Sequence, residues 1–196
     1  MRVTTPGTRE ARRLVVGASL AFAALLVGGS WLLFLLRGVA FRSLWGAPAP
    51  AAGLAIGAAI GLLAGFLCGV LVARAPALSR VRLLAREAVA GIDPRWHTVL
   101  VVAVAAGVSE ELFFRGALEP AAGPWLTALA FVALHGALRI RGRESLAFAA
   151  FLGAASLALS ELCAWRGLEA AMAAHAGYDA AVLASLGRLA RGTGAR

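Results

Sequence analysis

The sequence contains no lysine, only two cysteines, and few charges of any kind. Charged residues make up 15% of the 196, whereas 61% are hydrophobic and the mean hydropathy is +0.82. A soluble domain is usually near 45–50% apolar and about 25% charged, so the scarcity of charge excludes an ordinary water-soluble fold. The two cysteines, Cys68 and Cys163, both lie in apolar stretches and lack ligand-like spacing. That excludes a disulfide framework and a cysteine zinc site, and leaves them as small packing residues. All 19 basic residues are arginine against 10 acids, for a formal net charge of +9. These arginines cluster at the ends of apolar runs rather than on one face. The distribution fits membrane topology and attraction to anionic lipid, and it argues against a nucleic-acid partner.

What remains is hydrocarbon-compatible chain. Six apolar runs can be marked: Leu14 to Leu36, Ala51 to Val72, His97 to Leu118, Ala121 to Leu138, Ser145 to Cys163, and Gly167 to Leu186. A span needs about 20 residues, and its interior must be helical because lipid offers no partner to backbone N–H and C=O groups. The expectation is an all-α, polytopic helical bundle of about six transmembrane helices, with residues 1–12 as a cytoplasmic tail. Two helices and a linker fill 13–95, a catalytic core 96–187, and a C-terminal tail 188–196. The first run exceeds the 7–15 apolar residues of a signal peptide and reads as a retained helix. Within the linker, Leu78, Val81, Leu84, Ala88 and Ile92 recur at helical spacing, as in a short amphipathic helix lying on the membrane surface. Trp45, Trp96, Trp125 and Trp165 fall near run ends, where an aromatic belt belongs.

Gly53, Gly57, Gly61, Gly65 and Gly69 recur every four residues, a spacing that lets a second helix backbone approach closely. With six spans and the N-terminus inside, fifteen arginines fall on the inner side, against Arg37, Arg42 and Arg166 outside. This bias places both termini in the cytoplasm, in what the Ala/Arg/Gly-rich composition suggests is a bacterial plasma membrane.

Against this background several residues are out of place. A charged side chain at mid-membrane costs at least ~2.5–3.5 kcal/mol, yet Glu110, Glu111 and Arg115 lie in the third run, His135 in the fourth, and His175 and Asp179 in the sixth. Glu111 and Arg115 are four apart and can pair on one helix face. Glu110, about 100° round the helix, is left free to face a cavity. His175 and Asp179 also share a face, and Phe131 lies one turn before His135. Counted from run ends, Glu110, His135 and His175 fall in one layer. His97 beside Trp96 reads as interfacial, and Glu161, Arg166 and Glu169 as solvated loop residues.

One carboxylate and two imidazoles in a water-bearing pocket suit hydrolysis. A carboxylate removed from bulk water is a stronger base toward water, and imidazoles can orient the water, donate a proton or steady an oxyanion. The alternative is Zn²⁺ held by Glu110, His135 and His175, a His₂Glu set with water in the fourth position. These residues resemble the CPBP family of intramembrane proteases, the CAAX-protease and bacteriocin-processing (Abi) group. That family has EExxxR, FxxxH and HxxxN-like motifs in order. Here they read Glu110-Glu111-Leu112-Phe113-Phe114-Arg115, Phe131-Val132-Ala133-Leu134-His135, and His175-Ala176-Gly177-Tyr178-Asp179. The resemblance covers about Trp96 to Leu186. It implies that Glu110 and His135 activate water while His175 and the residue at Asp179 support the oxyanion. It also implies a membrane-associated peptide or protein substrate, with metal-dependent and glutamate mechanisms both open. Asp179 departs from the usual Asn, since an ionised carboxylate donates no hydrogen bond. Two other classes compete: an inactive peptide-binding or bacteriocin-immunity relative, and a proton-coupled carrier, for which no internal repeat is visible.

Overall fold

The long apolar runs become long helices, arranged so that the polar residues among them turn inward. A computed structural model describes residues 9–38, 44–45, 49–75, 82–83, 95–135 and 143–192, and among these there is no strand. In chain order the elements are α1 (Arg9–Arg37), α2 (Pro50–Arg74), α3 (Trp96–Glu111), a π-helical segment (Leu112–Leu118), α4 (Glu119–Leu134), α5 (Arg143–Arg166) and α6 (Leu168–Gly192). The apolar residues turned outward, among them Leu25, Leu35, Leu36, Leu63 and Leu71, are the surface expected of a bundle solvated by lipid. The protein is a helical integral membrane protein.

Four described stretches are long and apolar enough to cross a bilayer: Arg13–Arg37, Pro50–Arg74, Trp96–Leu134 and Leu146–Arg166. The expectation of about six spans is therefore corrected, for two reasons. The third and fourth runs form one helical path that folds back on itself. The sixth run forms α6, which carries Glu169, His175 and Asp179 and falls short of the others in apolarity. The expected interfacial helix lies outside the described residues apart from Arg82 and Leu83. The Arg82 guanidinium reaches back to the carbonyls of Ala73 and Ala75 at the end of α2.

The fold-back centres on Gly123, whose φ of 79° and ψ of 165° break the helix. An L side chain rarely adopts that φ, and Pro124 then restarts the helix with its fixed backbone angle. Beyond the turn, Phe131 packs on Phe114 with ring centroids 5.0 Å apart, and His135 reaches Glu110. The eleven residues Pro124–Leu134 rise only about 16 Å, roughly half the hydrocarbon thickness. The fourth run thus forms a half-depth helix ending on the polar cluster.

The glycine seam positions α6. A Cβ built on Gly57 would strike the Ala170 carbonyl, one on Gly61 the Ala174 carbonyl, and one on Gly65 the Tyr178 carbonyl. At Gly53 it would lie 2.9 Å from the Arg166 carbonyl oxygen. The two indices advance together by four, so α2 and α6 run parallel with backbones nearly touching. Gly107 brings α3 equally close, since a Cβ there would sit 2.6 Å from the Ala176 nitrogen. Ala174 and Tyr178 face α2, so His175 and Asp179, one residue further on, are turned about 100° away. At one end of the bundle, Phe34 of α1 packs with Leu112, Ala117, Leu168 and Met172, and Arg37 donates to the Ala117 carbonyl at 3.1 Å.

Filling the seam tests this packing. Gly61→Leu is expected to cost more than the about 1–3 kcal/mol usual for overpacking, because the obstructing atom is backbone. Gly17→Ala, with nothing within 4 Å of its added methyl, should leave stability unchanged. Thermal unfolding in detergent, followed by tryptophan fluorescence, separates the two; equal midpoints would mean that the seam is not close-packed.

Candidate active site

Buried ionisable groups require partners, and here each partner comes from a different helix. Glu111 is fully buried on the last turn of α3. One of its oxygens lies 2.7 Å from His175 Nδ1 on α6, and the other 3.2 Å from Arg115 Nε in the π-helical segment. The arginine contact is a side-by-side ion pair rather than a straight hydrogen bond, since Arg115 Nε and Glu111 Oε2 have no well-angled partner. Arg115 is also fully buried. Its Nη2 donates to the Ser156 carbonyl at 2.5 Å and to the Ser156 hydroxyl at 2.8 Å, and Glu119 Oε2 approaches its Nε at 3.8 Å. Ser160 in turn donates to Glu119 Oε1 at 2.5 Å. The guanidinium also lies 5.6 Å from the centroid of the Phe131 ring and 5.8 Å from that of Phe114.

The sequence-predicted residues converge. Glu110 Oε2 lies 3.5 Å from His135 Nε2 and 4.0 Å from His175 Nε2, and His175 Nε2 lies 3.7 Å from Asp179 Oδ2. His135 stacks on Phe131, with centroids 4.1 Å apart and planes 25° from parallel, which accounts for an aromatic residue one turn before the histidine. A carbonyl oxygen can only accept, so the 2.8 Å contact between His135 Nδ1 and the Phe131 carbonyl puts a hydrogen on Nδ1 and turns the Nε2 lone pair toward Glu110. By the same reasoning His175 Nδ1–H donates to the Glu111 carboxylate. A cavity of about 220 Å³, lined by Phe22, Glu110, Phe114, Leu134 and His135, opens beside this cluster.

Three expectations change. Glu111 does more than pair with Arg115, because it also fixes the ring of His175. Glu169, expected to be solvated, is 8% exposed, drawn inside where α6 begins against the core. The conditional zinc site is not supported: among the described residues no group of three His, Cys, Asp or Glu side chains is arranged to hold a metal ion. Glu119, Ser156 and Ser160 escape a reading of the sequence. Glu119 lies four residues after Arg115 just as Glu111 lies four before, and that repeat is the available signal.

Removing Arg115 alone strands Glu111 and Glu119. Arg115→Met is expected to cost about 3–5 kcal/mol, the usual penalty for breaking a buried ion pair. The combination Glu111→Gln, Arg115→Met, Glu119→Gln should cost less than Arg115→Met by itself, because no charge is left unpaired. Detergent-based unfolding of the single and triple variants gives the comparison, and a triple variant less stable than Arg115→Met would refute the charge argument.

No curated protein and no solved structure matches the chain. Residues 93–181 match the family model of the Rce1-like type II CAAX prenyl endopeptidases. That segment holds Glu110, Glu111, Arg115, His135, His175 and Asp179. With these residues gathered around one buried cluster inside a helical membrane bundle, this segment of the chain is similar to the CAAX-protease family.

Proposed function

We propose that the protein is an intramembrane endopeptidase that hydrolyses peptide bonds of membrane-associated proteins or peptides, with Glu110 as general base. The observation that carries this reading is the placement of the Glu110 carboxylate between two imidazole Nε2 atoms, at 3.5 and 4.0 Å, on the edge of a cavity. Both separations are too long for direct hydrogen bonds. A water molecule held by Glu110 Oε2 and His135 Nε2 satisfies both acceptors with its two hydrogens. Glu110 takes one proton as the water oxygen attacks the scissile carbonyl carbon. The carbonyl oxygen becomes an oxyanion, which an Nε2–H of His175 stabilises when that ring is doubly protonated.

Glu110 then returns the proton to the departing amine nitrogen as the C–N bond breaks, leaving a carboxylic acid and an amine. Asp179 faces the same Nε2 and favours a proton there, compensating for its inability to donate when ionised. Glu111 and Arg115 hold His175 and do not touch the reacting atoms. No step of this scheme is assigned to a metal.

Two tests follow. Membrane peptidomes from cells expressing wild type, Glu110→Gln or nothing should contain cleavage products with wild type only, a loss of at least about a hundredfold for removing the base. Products that persist with Glu110→Gln would reject this mechanism. If Glu110→Gln and wild type match one another and both differ from empty cells, a peptide-binding role replaces proteolysis. Cleavage by the purified protein should also survive chelation by phenanthroline. Activity lost to the chelator and restored by added zinc would establish a metal mechanism instead.

A further inference from the structure

The cavity beside Glu110 is closed on one side by a residue that lies far from the motifs. Phe114 and Glu110 line it from the π-helical segment and α3, and Leu134 and His135 from the end of α4. The remaining wall is Phe22, on α1, outside residues 93–181. We propose that Phe22 is a specificity-determining residue, setting the size of the apolar substrate side chain that sits beside the scissile bond. The inference rests on the proteolytic reading and adds a substrate preference to it.

Three observations support it. The first is size: about 220 Å³ is below the roughly 300–1,000 Å³ of pockets that enclose a drug-sized ligand. It suits a single residue of a substrate chain rather than a whole molecule. The second is chemistry. Apart from Glu110 and His135, the lining consists of two phenylalanines and a leucine, so a charged or strongly polar side chain would lose its hydration without compensation.

The third is the mounting of Phe22. Phe114 is 1% exposed and fixed in the core, with Phe131, Val132 and Leu152 around it, whereas Phe22 is 42% exposed and Leu134 is 52% exposed at the rim. α1 is anchored along its other face, through the buried Ala23, Leu26, Ser30 and Phe34 and through Arg37. At Gly17 and Gly28, on either side of Phe22 in sequence, an added methyl group would meet nothing within 4 Å. Phe22 itself belongs to none of the buried apolar clusters, so a smaller or larger side chain there leaves the core seated. That combination defines a wall that tunes a pocket rather than one that supports the fold.

The test compares the cut sites made by wild type, Phe22→Ala and Phe22→Trp. Each full-length protein is reconstituted in liposomes with the solubilised membrane proteins of host cells, and new N-termini are labelled and sequenced by mass spectrometry. Differences of a few methylenes in an apolar pocket are worth about 10- to 200-fold in discrimination. Phe22→Ala should therefore raise the ratio of large (Phe, Trp, Leu) to small (Ala, Gly) residues at the cut by about tenfold, and Phe22→Trp should lower it by a similar factor. The same residue distribution for all three proteins, with only the total amount of cleavage changed, would give Phe22 a merely structural role and overturn the inference while leaving the protease intact. If Phe22→Ala does not fold, Phe22→Trp alone still decides the direction. Wild type that cuts nothing would overturn the proteolytic reading, and this inference with it.

Discussion

A carboxylate, a guanidinium and an imidazole meet in the membrane-spanning part of the chain, and none of them is tolerable there alone. Glu111 joins the other two, with one oxygen on His175 and the other against Arg115. An isolated charge in hydrocarbon costs several kcal/mol, and a pair costs less only if the remaining donors and acceptors are also occupied. The surroundings meet much of that demand. Ser156 takes one end of the guanidinium through both its hydroxyl and its carbonyl, Glu119 flanks it, and Ser160 secures Glu119. Four helices, α3 to α6, and the π-helical segment are thereby tied to one another by polar contacts that lipid cannot replace.

Those contacts require backbone placement that side chains alone do not supply. The glycine seam lets α2 press against α6 and fixes the rotation that turns His175 and Asp179 toward α3. The Gly123 break returns the chain so that His135 arrives opposite Glu110 rather than continuing across the bilayer. The π-helical segment adds a residue to the turn that carries Arg115, since its hydrogen bonds run from i to i+5. Arg115 thus comes between Glu111 and Glu119. Such turns weaken a helix by leaving a carbonyl poorly paired, and here Arg37 from α1 supplies a donor to Ala117 at the end of the segment.

Much of the site is legible in the sequence because its local spacings are helical. Glu111 with Arg115, Phe131 with His135, and His175 with Asp179 are each four apart, and each pair does meet. The membrane class follows from composition, and the glycine repeat announces a close helix contact. The contact between Glu111 and His175, 64 residues apart, follows from no local pattern and exists only once α3 and α6 are packed. Ser156 and Ser160 are also four apart, but residues of alanine's size in an apolar run read equally well as helix packing, and nothing local pairs them with Arg115 or Glu119. The fourth run reads as a span because alanine, leucine and phenylalanine dominate it, although Gly123-Pro124 is a recognised turn dipeptide. Glu169 looks solvated because it follows an arginine and a glycine near a helix start, and sequence does not reveal which way that start faces.

The two histidines, chemically identical, are made unequal by what each Nδ1 meets. His135 gives its Nδ1 hydrogen to a neutral backbone carbonyl one turn back on its own helix, so its ring is oriented but little polarised. His175 gives its own to a carboxylate, with Glu110 and Asp179 also within 4.0 Å of its far nitrogen. Each ring thus has its Nδ1 hydrogen engaged while its Nε2 faces carboxylate, Glu110 in the case of His135 and both Glu110 and Asp179 in the case of His175. In the proposed reaction that difference divides the work, with His135 accepting a hydrogen bond from water and His175 donating one to the oxyanion. The division comes from the groups behind each ring rather than from the rings themselves. It follows that a single buried carboxylate, Glu111, contributes as much to the proposed chemistry as to holding the bundle together.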